Sequence, residues 1–203
     1  MTTAGFPFVG ERLCLDFVNT DLVQDGGRVD LLAGFDDLLA WCVAAEVLGA
    51  PQAKEMNASW TTQGTARVFA EARRFRRTLR TMVERVASGR ATVTRPALDA
   101  INDVLRARVG ELALVRTKDG YETLFLARWT GPEQLLVPVA ESAAALLSQG
   151  DLSLVRKCEN PACVLYFYDT TKNHRRRWCS MTACGNRAKV AAHYRRTRGG
   201  GGA

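Results

Sequence analysis

Cys158-Glu159-Asn160-Pro161-Ala162-Cys163 and Cys179-Ser180-Met181-Thr182-Ala183-Cys184 are two C-x4-C pairs separated by fifteen residues, and they decide how the chain is read. Four thiolates in two closely spaced pairs suit tetrahedral Zn²⁺, because each pair folds into a knuckle that offers two sulfurs to one ion. A site closed by four sulfurs has no position left for water. The spacing therefore predicts one structural zinc per chain, on Cys158, Cys163, Cys179 and Cys184, whose binding energy is largely folding energy. His174 is a fifth candidate ligand that four cysteines make unnecessary. Between the pairs, the β-branched and aromatic run Val164-Leu165-Tyr166-Phe167-Tyr168, the turn residues Asp169 to Asn173 and the resumption at Trp178 predict a hairpin. Gly185 to Arg196 lacks proline and is rich in alanine and basic residues, which predicts a helix with Cys184 in its first turn. Knuckle, hairpin and helix make a treble-clef-like, four-cysteine zinc finger over residues 151–198, with a disordered tail at 199–203.

Charge singles out the same region. The chain has 203 residues and a net charge of +7. From Arg156 onward there are eleven Lys/Arg against Glu159 and Asp169, a net of +9, whereas the first 155 residues net −2. Four thiolates and one Zn²⁺ take two charges from the finger, which remains strongly basic and attracts a polyanion. Lys172, Arg175, Arg176 and Arg177 are expected on phosphates. On the helix, Asn186, Arg187, Lys189, His193, Arg195, Arg196 and Arg198 are candidate nucleic-acid contacts. Asn pairs bidentately with adenine and Arg with guanine, while Lys and Arg also hold phosphates. Asn186 and Arg187 have a competing role, fixing loop carbonyls near the metal. Tyr166, Phe167, Tyr168 and Trp178 can stack unpaired bases, or fill the only core so small a module has.

Cys184-Gly185-Asn186-Arg187, with Trp178-Cys179-Ser180-Met181 and the first knuckle before it, resembles the CGNR zinc finger family. Gly10-Glu11-Arg12-Leu13-Cys14-Leu15-Asp16-Phe17-Val18-Asn19-Thr20 is similar to the opening of the ABATE domain that precedes this finger in many bacterial proteins. The resemblance implies a stress-linked bacterial transcription regulator whose finger binds zinc and DNA. Two other readings stay open: an RNA-binding protein, and a protein–protein interaction module with a purely architectural zinc.

Upstream, the residues predict a mainly helical body. Phe6-Pro7-Phe8 reads as extended. Leu13 to Thr20 reads as a short helix, with Asp16 and Asn19 either lining a ligand pocket or fixing loops. Asp25-Gly26-Gly27 is a turn, Asp30 a helix cap, and the run from Leu31 to Val43 a helix stopped by Gly49-Ala50-Pro51. Val68, Ala72, Phe75, Leu79, Met82 and Val86 stripe a long helix, with Arg67, Arg73, Arg74, Arg76, Arg77, Arg80 and Arg85 on a solvated face. Pro96 opens a shorter helix with Leu98, Ile101 and Leu105 inward. Residues 112–126 form a β-hairpin about Asp119-Gly120, and Leu135 to Leu147 make a last helix ending at Gly150. The fold class expected is α+β: a predominantly helical N-terminal domain, 1–150, with a small β-hairpin, followed by the finger.

No apolar run approaches the roughly 20 residues of a membrane span, and no signal peptide is recognisable, so a cytoplasmic protein is expected. In that reducing compartment Cys14 and Cys42 read as small buried thiols. There is no P-loop, G-x-S-x-G or dinucleotide fingerprint and only two histidines, so catalysis is not expected. Partners expected are nucleic acid, most simply duplex DNA, with a small-molecule effector or a homodimer partner at the N-terminal domain.

Overall fold

The computed structural model describes residues 2–3, 5–90 and 92–190. It is an α+β fold: helices form the body, every sheet is a two-stranded antiparallel ribbon, and the cysteine cluster closes the C-terminal end. Strands β1 (Thr2–Thr3) and β2 (Phe6–Pro7) pair at the start, and α1 (Leu13–Val18) follows. Then β3 (Asp21–Gln24) and β4 (Gly27–Asp30) form a hairpin. Its two loop residues, Asp25 (φ 50°) and Gly26 (φ 81°), are both left-handed. That is the turn whose twist matches paired strands, and an Asp-Gly pair adopts it at little cost. The turn was expected, but not the strands on either side of it.

Helix α2 (Phe35–Ala44) starts four residues later than a cap at Asp30 requires. Asp37 supplies the capping carboxylate instead, accepting the Ala33 and Gly34 N–H groups at 2.9 and 3.0 Å. Pro51, read as a stop, sits in the first turn of a further helix, α3 (Ala50–Ser59), where its missing N–H has no helical partner to lose. Helix α4 (Thr62–Ala87) spans 26 residues and is the axis of the core. Its stripe Val68, Ala72, Phe75, Leu79, Met82 and Val86 is buried together with Phe17, Leu38, Ile101, Leu135 and Val139. Helix α5 (Arg95–Leu105) buries Ile101, but leaves Leu98 40% exposed. The arm β5 (Gly110–Thr117) and β6 (Gly120–Ala127) follows, then a 3₁₀ turn Pro132–Leu136 leading into α6 (Val137–Gln149).

The last ribbon differs from the expected hairpin. β8 (Tyr166–Tyr168) pairs with β7 (Val155–Lys157), which precedes the first cysteine, and not with the segment around Trp178. The first knuckle is thus the tip of the β7–β8 hairpin, and residues 169–178 form a loop. Strand alternation gives this ribbon two working faces. Val155, Tyr166 and Tyr168 join the body's core, while Phe167 is buried in a second cluster with the four cysteines.

Two arginines assigned to a solvated face lie inside. Arg76, 5% exposed, donates to Thr20 Oγ1 at 2.7 Å and to both Asp30 oxygens at 2.8 and 2.5 Å. Arg80 Nη2 donates to the Val18 and Asp21 carbonyls at 2.8 and 2.5 Å, and Nη1 to the Val164 carbonyl in the finger at 3.4 Å. The Val18 carbonyl ends α1 and has no partner within its helix, so a buried cation is well matched there. Arg67, Arg73, Arg74 and Arg77 are exposed as expected. None of the helices among the described residues is long and apolar enough to cross a membrane.

Candidate metal centre

The ligand atoms of Cys158, Cys163, Cys179 and Cys184 all lie within 4.8 Å of one another, and all four residues are buried. Cys163 and Cys179 sulfurs are 3.8 Å apart, and Cys179 and Cys184 sulfurs 3.7 Å. A tetrahedron with Zn–S bonds of about 2.3 Å has edges of about 3.8 Å, so the sulfurs stand where zinc would hold them. No disulfide joins them. Hydrogen bonds from the Cys163 and Cys179 thiols hold Cys158 well below the ordinary thiol range, and donating to Cys158 raises Cys163 and Cys179. Sulfurs this close cannot all carry charge unless a cation lies among them. With four sulfurs and no open position, the zinc is structural.

Local chemistry sets each ligand. The Asn160 side chain accepts the Ala162 N–H at 3.1 Å, bending the first knuckle, and donates to Cys184 Sγ at 3.3 Å. It ties the two knuckles together, a role the sequence reading missed although an Asn-Pro turn between paired cysteines was its signal. Cys179 N–H points at Cys158 Sγ at 3.4 Å, and Arg187 Nη2 approaches Cys184 Sγ at 3.6 Å. Such donors offset the negative charge of a four-thiolate site. The second knuckle opens at Ser180, whose hydroxyl accepts the Ala183 N–H at 3.3 Å. A π-type turn, Met181–Gly185, carries Cys184 and runs into α-helix at 186–190. The helix thus begins before Gly185. Cys14 and Cys42 stand apart from the cluster, buried in the body's core, their thiols pushed by burial up to about 11 and about 12.

Asp169, buried at the start of the loop, accepts from Thr171 N–H at 3.0 Å, Thr171 Oγ1 at 2.5 Å and Arg176 N–H at 2.9 Å. Burial alone would raise its carboxyl, but these bonds hold it below the usual carboxylate range. The loop they shape exposes Lys172, Arg175 and Arg177, the last paired with Glu159 at 2.6 Å. Arg176, expected on phosphate, points inward instead. It donates to the Val9, Trp178 and Cys179 carbonyls at 3.0, 3.1 and 2.6 Å, pairs with Glu11 at 3.0 Å, and lies 4.3 Å over the Phe167 ring. Its neighbours on the chain have no carbonyl cage to fill. His174 is exposed and shares a hydrogen bond with the Asp169 carbonyl, away from the cluster.

Arg187 and Lys189 are exposed on the helix, as is Asn186, whose amide donates to the Thr182 carbonyl at 3.2 Å. His193, Arg195, Arg196, Arg198 and the tail lie outside the described residues. Tyr166, Phe167 and Tyr168 are buried, and Trp178 is half-buried under Arg177.

The two N-terminal polar residues weighed as a ligand pocket brace the finger. Asn19 donates to the Tyr166 carbonyl at 2.8 Å and accepts the Tyr166 N–H at 2.9 Å, so its amide imitates a neighbouring strand along the free edge of β8. Two residues on, the Tyr168 N–H donates to the Gly10 carbonyl at 2.9 Å. Asp16 holds that glycine in place, accepting its N–H at 2.7 Å. A Cβ on Gly10 would meet Leu15 Cβ at 2.8 Å and the Asp16 backbone nitrogen at 2.9 Å, so only glycine fits. Burial pushes the Asp16 carboxyl up to about 6. Beside the cluster, a cleft of about 320 Å³ is walled by Val9, Leu22 and Val23 of the body and by Leu165, Thr182 and Arg187 of the finger.

Compared with known families, residues 11–150 match the ABATE model, described as "Putative stress-induced transcription regulator", and residues 155–197 match the CGNR zinc finger model. No curated protein matches the chain. Neither family description is that of an enzyme.

Proposed function

The chain belongs to the ABATE family and carries a CGNR zinc finger, and from that premise we propose that it regulates transcription by gripping duplex DNA through the finger's exposed cations. One observation carries the reading: Arg156, Lys157, Lys172, Arg175, Arg177, Arg187 and Lys189 are all exposed on a module built around zinc, next to a body of slightly negative charge. That segregation gives one end of the molecule the field a polyanion seeks. Duplex is favoured over single-stranded RNA because, of the aromatic side chains that could stack unpaired bases, Tyr166, Phe167 and Tyr168 are buried and Trp178 is half-buried with Arg177 over its ring. Lys172, Arg175 and Arg177 hold phosphates, and Arg187 and Lys189 extend the same surface along the helix. Arg176 is left out, because its donors are all engaged internally. The helical body is the regulatory part. An effector in the cleft at the body–finger junction would touch both, and so could change how the finger presents its cations.

The test is a salt titration of the full-length, zinc-loaded protein against labelled duplex DNA, single-stranded RNA and an acidic protein. For duplex DNA, log affinity is expected to fall with log salt at a slope near −0.9 per phosphate neutralised, and Lys172→Ala or Arg175→Ala each lowers its magnitude by about one. Tighter binding to RNA would make this an RNA-binding protein. No nucleic-acid binding at low salt, with the acidic protein bound, would make the finger an interaction module.

A further inference from the structure

The β5–β6 arm is long for its surroundings and apolar where it meets solvent. Leu112, Leu114 and Tyr121 are 75%, 71% and 72% exposed, and Leu124 and Leu126 more than 40%. Isolated exposed leucines need no explanation, but Leu112, Leu114 and Tyr121 share one face of the ribbon and together mark a contact surface. The arm also has an open edge. The Arg128 N–H donates to the Val109 carbonyl at 2.8 Å, at the base of a ladder in which Gly110 faces Ala127 and Leu112 faces Phe125. In an antiparallel pair hydrogen-bonded positions alternate, so odd-numbered residues of β5 bond to β6, and Gly110, Leu112, Leu114 and Arg116 turn their N–H and C=O groups outward. Among the described residues no hydrogen bond from elsewhere in the chain reaches those groups of Leu112, Leu114 or Arg116. An open edge of this kind is a template for another strand.

We infer that this edge is a homodimer contact, in which β5 pairs antiparallel with β5 of a second copy about a two-fold axis at Ala113. Two properties select a second copy over another partner. Register comes first: centring on Ala113 sets Leu112 opposite the other copy's Leu114, and the reverse. The outward backbone groups of each strand then meet, and the chain's two most exposed leucines on each copy form one apolar ladder on a single face. Charge comes second. Between 110 and 128 the arm carries Arg116, Lys118 and Arg128 against Glu111, Asp119 and Glu122, so it has no bias toward a polyanion or a lipid surface. Antiparallel order places the Glu111 end of each strand beside the Arg116–Lys118 end of the other, and symmetry repeats the match. A contact along one strand edge is small, and interfaces below roughly 1,200 Å² are typically weak, so a concentration-dependent dimer is expected.

Sedimentation velocity of the full-length protein between about 1 and about 200 μM reads this directly, against a monomer of 22.3 kDa. Expected is a rise to twice that mass, abolished in Leu112→Glu/Leu114→Glu and retained in Leu98→Glu, a change at an exposed leucine elsewhere. Ala113→Cys, in a non-hydrogen-bonded pair whose Cα atoms approach to about 4.5 Å, is expected to link two chains on air oxidation of the zinc-loaded protein. A wild type that stays monomeric at about 200 μM overturns the proposal, as does a double-glutamate variant that dimerises normally. Dimers of the Ala113→Cys variant that do not cross-link overturn the register.

Discussion

Asn19 completes the edge of a strand that lies 147 residues away, in the finger. Its removal leaves the buried N–H and C=O of Tyr166 unpaired, each costing about 1–3 kcal/mol. Asn19→Ala is therefore expected to destabilise the chain by about 2–5 kcal/mol in urea unfolding, and to raise amide exchange at Tyr166. Asp16 acts on the same junction, with a pH signature. Its folded carboxyl, pushed up to about 6 from 3.8, holds a proton that the unfolded chain releases earlier. The stability this provides is fully present below the unfolded value and is lost as pH rises through about 6. Asp16→Asn keeps an acceptor for Gly10 but removes the charge. Relative to wild type, the variant is expected to gain stability from pH 4 to pH 7, by at most about 3 kcal/mol; a flat difference across that range would contradict it. The sequence placed both residues on a short helix. It could not show that their partners are backbone groups of the finger, because nothing local marks a hydrogen bond across so long a separation.

Among the elements, the β7–β8 ribbon joins the two halves of the molecule through alternation alone, with Tyr166 and Tyr168 toward the helices and Phe167 toward the sulfurs. Arg80 on α4 reinforces the joint from the other side. Arg80→Ala is expected to cost about 3–5 kcal/mol, since it strips a buried cation from Asp21 and three carbonyls, whereas Arg73→Ala on the solvent face stays within about 0.5 kcal/mol; equal effects from both would refute the buried role. The long periodic elements α4 and α6 and the β5–β6 arm were legible because their patterns repeat over many residues. Strand β7 was not, because three residues are too few to show alternation, and the aromatic run it pairs with offered a more obvious partner downstream. Helix α3 was hidden by Pro51, which starts helices as readily as it ends them. Arg76 and Arg80 border the apolar stripe of α4, so composition placed them in water. Their polar partners draw them in, most of them folded back from α1 through β4 and one, the Val164 carbonyl, supplied by the finger.

On the scale of the whole molecule, the cysteine quartet was the most legible feature, since a ligand set is declared by residue type and spacing before any geometry exists. It also bears the most weight. A finger of about 40 residues is too small for a core of its own, and its packing centres on the sulfurs and Phe167. Cys179→Ser is expected to lose zinc and unfold residues 155–190, while the α4 core keeps most of its helical circular dichroism. Zinc K-edge absorption on the purified chain reads the coordination sphere itself. One zinc per chain is expected, with four sulfur scatterers at about 2.3 Å and no nitrogen or oxygen in the shell. Fewer sulfurs, a light-atom ligand, or a folded finger without zinc would contradict it.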